Sequence, residues 1–216
     1  MSTTQPDGYL ATPPAGSGDP VLVLHPWWGL NATIRAFCDR LAAEGFVAFA
    51  PDLYHGKVVD TIPDAEAAVK ALESSEGGFQ QAQADVAAGA MFLSEQSNGR
   101  GLAVIGFSMG VPYALGLASA APDLVRKVVI LYGTGDADYS TSHAAYLGHF
   151  AADDDFEPRP YVDGMEEAIR SAGRAVTFHH YPNTGHWFFE PDRSDAYNEP
   201  AAALAWERTL AFLKES

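Results

Sequence analysis

The residues that could do chemistry begin with Gly106-Phe107-Ser108-Met109-Gly110, a serine flanked by glycines two positions away on either side. It follows a short apolar run, Leu102 to Gly106, and precedes an Ala- and Leu-rich helical pattern, so the serine falls on a strand-to-helix turn. Such a turn holds its serine in a strained conformation that projects Oγ, and small residues on either side let strand and helix approach. A hydroxyl is a poor nucleophile at neutral pH and needs an imidazole base, itself held in one tautomer by a carboxylate.

Seven histidines are available. His186 stands in Tyr181-Pro182-Asn183-Thr184-Gly185-His186-Trp187, a turn-rich loop after the last strand-like run, where a side chain can reach over a sheet edge. Taken alone it reads as a hydrogen-bonded loop residue; with Ser108 upstream it becomes the expected base. His179 and His180 fall within a strand, His149 in or at the end of one, and His55 and His143 in surface loops. The acid must lie between serine and histidine in the chain, and Asp153, Asp154 and Asp155 follow a strand there. One of the three is needed, and the other two read as a solvated turn.

The reaction this set suits is acyl transfer, which also requires backbone N–H donors for an oxyanion. The loop His25-Pro26-Trp27-Trp28-Gly29-Leu30-Asn31 follows an early strand and opens a helix. Its Trp27 N–H and that of Met109 are the expected donors, since Pro26 has none. Trp28, Tyr54, Phe107 and Trp187 are the candidate substrate-contacting aromatics; one of Trp27 and Trp28 is expected to be core.

Positioning these groups requires a sheet with its loops at one end. Short β-branched runs (21–25, 46–50, 102–106, 127–132, 147–151 and 175–181) alternate with helical patterns (32–43, 64–74, 79–96, 109–121, 161–172 and 200–214). Alternation of this kind predicts a mostly parallel sheet covered on both faces, an α/β fold, here one domain over residues 1–216. Residues 8–12 read as an added antiparallel edge strand. The stretches 133–146 and 187–199 fit neither pattern and follow strands at their carboxyl ends, where open α/β sheets build their sites. Neither is long enough for a cap, so an open cleft is expected.

Composition removes several alternatives. Thirteen Lys and Arg against 28 Asp and Glu leave a formal charge of −15, which repels nucleic acid and anionic membranes. The uncharged stretch 101–122 is broken by Gly106, Gly110, Pro112 and Gly116 and reads as strand, turn and helix rather than a membrane span. Cys38 is the single cysteine, so no internal disulfide and no cysteine zinc site is expected, and the chain reads as cytoplasmic. Residues 1–14 show no export pattern. Histidine spacings match no zinc motif, and 133–138 lacks the third glycine of a dinucleotide fingerprint, so neither metal nor cofactor is expected.

These residues together resemble the dienelactone hydrolase family of the α/β-hydrolase fold. The matching segments are 25–31, Ala50-Pro51-Asp52-Leu53-Tyr54, the turn 106–110, Gly148-His149-Phe150 with 154–158, 181–186, and Ala203 to Arg208 with Phe212. The resemblance implies an uncapped domain without cofactor that cleaves small esters or lactones. It also implies that the acid is Asp154, the first residue of a D-x-F-x-P pattern completed by Phe156 and Pro158.

Three departures accompany the likeness. The enzymes that give the family its name use a cysteine where this chain has Ser108, carry a glutamate where it has Pro26, and hold a substrate carboxylate with arginines. Here the position four after His186 is Glu190, and no Lys or Arg occurs between Lys70 and Arg100. Dienelactone itself is therefore not the expected substrate, whereas neutral esters, lactones and thioesters fit the same chemistry. The competing class is a non-catalytic binding protein on the same fold, which would bind ligand without turnover.

Overall fold

The computed structural model describes residues 4–74, 77–97 and 99–215. Seven strands form one sheet: β1 (Gly8–Ala11), β2 (Pro20–Leu24), β3 (Val47–Pro51), β4 (Leu102–Phe107), β5 (Val125–Leu131), β6 (Ala145–Ala151) and β7 (Val176–Tyr181). Their order is β1-β3-β2-β4-β5-β6-β7; β1 pairs antiparallel with β3, and all other pairs are parallel. The expected edge strand and α/β-hydrolase architecture are thus both present.

Two helical layers cover the sheet. One face buries α1 (Ala32–Ala43) and α6 (Glu199–Lys214); the other buries α3 (Gly78–Gln96), α4 (Gly110–Ala120) and α5 (Arg159–Ser171). The remaining helix, α2 (Ile62–Ser74), packs beside α3. Strand alternation decides which layer each side chain joins: in β4, Leu102 and Val104 enter the α3/α4/α5 core, while Ala103, Ile105 and Phe107 enter the α1/α6 core. Strands buried on both faces read as continuous apolar runs, which is why these were legible.

Four helices begin one or two residues earlier than periodicity suggests, and three of them, α2, α5 and α6, carry a proline in the first turn. Pro63, Pro160 and Pro200 follow Ile62, Arg159 and Glu199 at the helix starts, where a missing N–H costs no hydrogen bond. Asn198 caps α6 by accepting from Ala201 N–H at 3.1 Å. At the other strand end, β5 gains Val125 and Arg126 through a register shift between Leu102 and Ala103. The stretch 101–122 is strand, turn and helix, and among the described residues no helix is long and apolar enough to cross a membrane.

Candidate active site

The turn after β4 is tight for a geometric reason. A Cβ on Gly110 would lie 2.5 Å from the Leu24 carbonyl oxygen, and one on Gly106 would lie 2.9 Å from Val111 Cα, so only glycine lets β4, β2 and α4 close up. Ser108 between them has φ +44°, the left-handed region that non-glycine residues avoid. Its N–H donates to Leu131 O at 2.9 Å and its C=O accepts from Val111 N–H at 2.9 Å, which hold the strained turn in place.

His186 reaches this serine from the loop after β7. Its Nε2 lies 3.0 Å from Ser108 Oγ, and its Nδ1 lies 2.9 Å from Asp154 Oδ2 and 3.0 Å from Oδ1. Asp154 Oδ1 also accepts the N–H groups of Phe156 and Glu157, at 2.9 and 3.1 Å, so the carboxylate is anchored before it meets the imidazole. Asp153 and Asp155 are exposed. Of the three aspartates, the structure brings only Asp154 to the histidine.

The oxyanion candidates lie at the same end of the sheet. Trp27 and Met109 both line the cleft with Ser108 and His186, and among the described residues neither N–H is taken by a backbone acceptor in the turns and loops. The loop carrying Trp27 is pinned by His25, fully buried, whose Nδ1 donates to Pro26 O at 2.7 Å and whose Nε2 accepts Leu53 N–H at 3.1 Å. Burial holds the His25 pKa below its usual value, and this bonding pattern needs the neutral ring.

The candidate substrate aromatics separate. Phe107 is not in the cleft: it is 1% exposed in the α1/α6 core, packed edge-on to Phe37 and Phe189, because its place in β4 points it to that layer. Trp28 is also core, 1% exposed, covered by the Arg193 guanidinium 3.9 Å from its ring centroid. Tyr54 is half-buried and its hydroxyl donates to Met109 Sδ at 3.1 Å, behind the expected oxyanion donor. Trp187, with φ +63°, stacks on Trp27 at 5.7 Å and meets His186 edge-on at 5.1 Å. With Phe156 these rings form a wall dividing two hollows, one of about 330 Å³ containing Ser108 and one of about 420 Å³ beyond it.

Sequence reading missed a buried carboxyl behind the histidine. Glu190 is fully buried and accepts the Tyr132 hydroxyl at 2.8 Å, and the Tyr132 ring packs against His186 at 5.0 Å. Burial pushes the Glu190 carboxyl up to about 8 and the Tyr132 phenol well above its usual range. The only sequence signal for Glu190 is the preceding pair Phe188-Phe189, since the stretch it stands in follows no strand or helix period. Cys38 is buried in α1, its thiol pushed up to about 12 by desolvation, and it has no part in the site. Among the described residues, no group of three His, Cys, Asp or Glu is placed to hold a metal ion.

A mostly parallel seven-stranded sheet with a strained serine turn after its central strand defines an α/β hydrolase. Within that class the chain belongs to the dienelactone hydrolase family, whose model matches residues 7–216. It is 33% identical to Protein usf of Aquifex pyrophilus, over 96% of this chain and 92% of that protein. It is 30% identical to an Aquifex aeolicus protein named "Putative carboxymethylenebutenolidase", with the same coverages. A crystal structure from Klebsiella pneumoniae, titled as that of a "Putative Dienelactone Hydrolase", superposes with a TM-score of 0.83 at 27% identity, covering 96% of this chain and 92% of that one.

Proposed function

We propose that this protein is a serine hydrolase of small esters or lactones. The observation that carries the reading is the unbroken chain of contacts from Ser108 Oγ through His186 to the anchored Asp154. Ser108 Oγ attacks the substrate carbonyl as His186 Nε2 takes its proton, and Asp154 stabilises the imidazolium that forms. The carbonyl oxygen, now negative, is received by the N–H groups of Trp27 and Met109. The intermediate collapses, His186 returns the proton to the departing alkoxide, and an acyl group remains on Ser108. Water activated by the same histidine then releases the acid and restores the serine.

Membership of a hydrolase family and the Aquifex aeolicus relative's name support this chemistry. The serine supports a mechanism without thiolate, in which an imidazole serves as the base. The charge of −15 fits a partner that is a small molecule rather than a nucleic acid or an anionic membrane, and the lone buried Cys38 fits a reducing, cytoplasmic setting.

Fluorophosphonate labelling, read by intact mass and peptide mapping, tests the reading. An adduct on Ser108 that is lost in Ser108→Ala and His186→Ala is expected. A folded protein that takes no label, and that binds esters without turning them over, would replace the hydrolase with a binding protein.

A further inference from the structure

The hollow that contains Ser108 has an unusual lining for a family whose namesake enzymes hold substrate carboxylates. Its walls include Trp27, Phe79, Tyr113 and Phe156, and the charged residues on it are Glu73 and Glu157, alongside the His186 ring. Among the described residues, no Lys or Arg lines it. Two arginines lie outside it and are engaged: Arg193, on the other hollow, lies over Trp28 and donates to Asp60 O at 2.9 Å and Asp192 Oδ2 at 3.2 Å, and Arg159, two residues after Glu157, donates to Asp163 Oδ1 at 2.6 Å.

Glu157 is half-buried and oriented, with Oε2 accepting the Thr134 hydroxyl at 2.7 Å. Burial raises its pKa, the hydrogen bonds with Thr134 and then His186 oppose this, and Asp154 reinforces it, so this carboxylate lies beside the His186–Asp154 pair. Glu73 is exposed and also lines the hollow; burial raises the pKa values of Tyr54 and Tyr113, and the Glu73 charge adds to that rise. Phe79 and Phe156 are 44% and 45% exposed, apolar surface at the rim of a cleft.

We propose that the Ser108 hollow selects substrates whose acyl part carries an alkylammonium group, with Glu157 and Glu73 as the specificity-determining residues. This rests on the hydrolase reading above and specifies its substrate class. Aromatic faces with nearby carboxylates attract a weakly hydrated cation by both ring quadrupole and Coulomb terms. A second argument comes from the reaction: negative charge develops on the substrate oxygen in a cleft already lined by carboxylates. A cation on the substrate offsets that repulsion, and a carboxylate on the substrate adds to it.

The test compares p-nitrophenyl esters of γ-trimethylammoniobutyric acid, of its neutral tert-butyl isostere and of glutaric acid, which differ chiefly in terminal charge. At low ionic strength kcat/KM for the cationic ester should exceed that for the anionic one by at least about tenfold, with the neutral ester between and the spread narrowing with salt. Glu157→Gln and Glu73→Gln together should bring the three values within about threefold of each other, the loss falling on the cationic ester. An anionic ester hydrolysed as fast as the cationic one, or a ratio untouched by both substitutions, overturns the proposal while leaving the hydrolase reading intact.

A second arm is independent of turnover. Calorimetry on Ser108→Ala should find benzyltrimethylammonium bound more tightly than benzoate, and less tightly once Glu157 and Glu73 are glutamine. Equal binding overturns the charge inference. Tighter ammonium binding in a wild-type protein that neither labels nor hydrolyses any ester would instead overturn the hydrolase reading and keep the ammonium site.

Discussion

His186 and His149 are two buried imidazoles at the carboxyl-terminal side of the sheet, 6% and 0% exposed, and each has partners on both ring nitrogens. His149 sits in β6 between the Tyr181 hydroxyl at 2.8 Å and the Thr209 hydroxyl at 3.0 Å, and burial drives its pKa down to about 3. It stays neutral and ties β6 to β7 and α6. His186 sits in a loop between a carboxylate and a serine that faces a cavity. Burial and full hydrogen bonding therefore do not distinguish the proposed catalytic histidine from a structural one. The distinction lies in what the partners are: an acid on one side and a strained, solvent-reachable hydroxyl on the other.

Substitutions at and around each imidazole separate the two roles. The largest effect belongs to Ser108→Ala, His186→Ala and Asp154→Asn, each of which should lower kcat on a neutral ester by about 10³ or more with circular dichroism unchanged. A His149→Leu variant that lost as much kcat at unchanged Tm would erase the contrast. Its expected phenotype is the reverse: kcat within about threefold, and stability lowered by about 1 to 3 kcal/mol, because the buried Thr209 hydroxyl loses its partner while that of Tyr181 keeps Arg208.

Behind His186, Glu190 gives the contrast a pH dependence. Its folded pKa, about 8, lies above the ordinary carboxylate value, so the folded state holds a proton that the unfolded chain gives up. The stability this supplies is complete below the unfolded value and lost as pH rises toward 8. His149 and His25, buried neutral, act in the opposite direction as pH falls, but equally in wild type and variant. The Tm of Glu190→Gln, relative to wild type, should therefore climb by several degrees between pH 5 and 8, by roughly 3 kcal/mol of linkage. A constant difference across that range would show that Glu190 is already ionised when folded. The smallest effects belong to Asp153→Asn and Asp155→Asn, expected to change kcat by less than about threefold. A severe Asp155 variant beside a healthy Asp154 variant would reassign the acid.

Much of this was legible from residue order. Strand-turn-helix around Ser108, the turn-rich loop before His186 and the acids between them follow from local backbone demands that sequence displays directly. Asp154 needed more: three adjacent aspartates are locally equivalent, and only the pattern with Phe156 and Pro158, and then the N–H groups of Phe156 and Glu157, separates one from two. The helices with Pro63 and Pro160 begin two residues, and that with Pro200 one residue, before the sequence pattern places them, because proline is unfavourable inside a helix and harmless at its entrance.

What the sequence determined by itself was the fold and the order of chemical groups, since apolar period, glycine punctuation and turn residues are local signals. Which aromatic rings line the cleft beside Ser108 was decided only in three dimensions. Phe107, adjacent to the serine, turns into the α1/α6 core because successive side chains on a strand face opposite ways. Phe79, distant in sequence and unremarked there, reaches the cleft because α3 packs beside α4. The same holds for charge: Glu73 and Glu157 lie far apart along the chain, and only the packing of α2 and of the loop after β6 around Ser108 brings their carboxylates to one hollow.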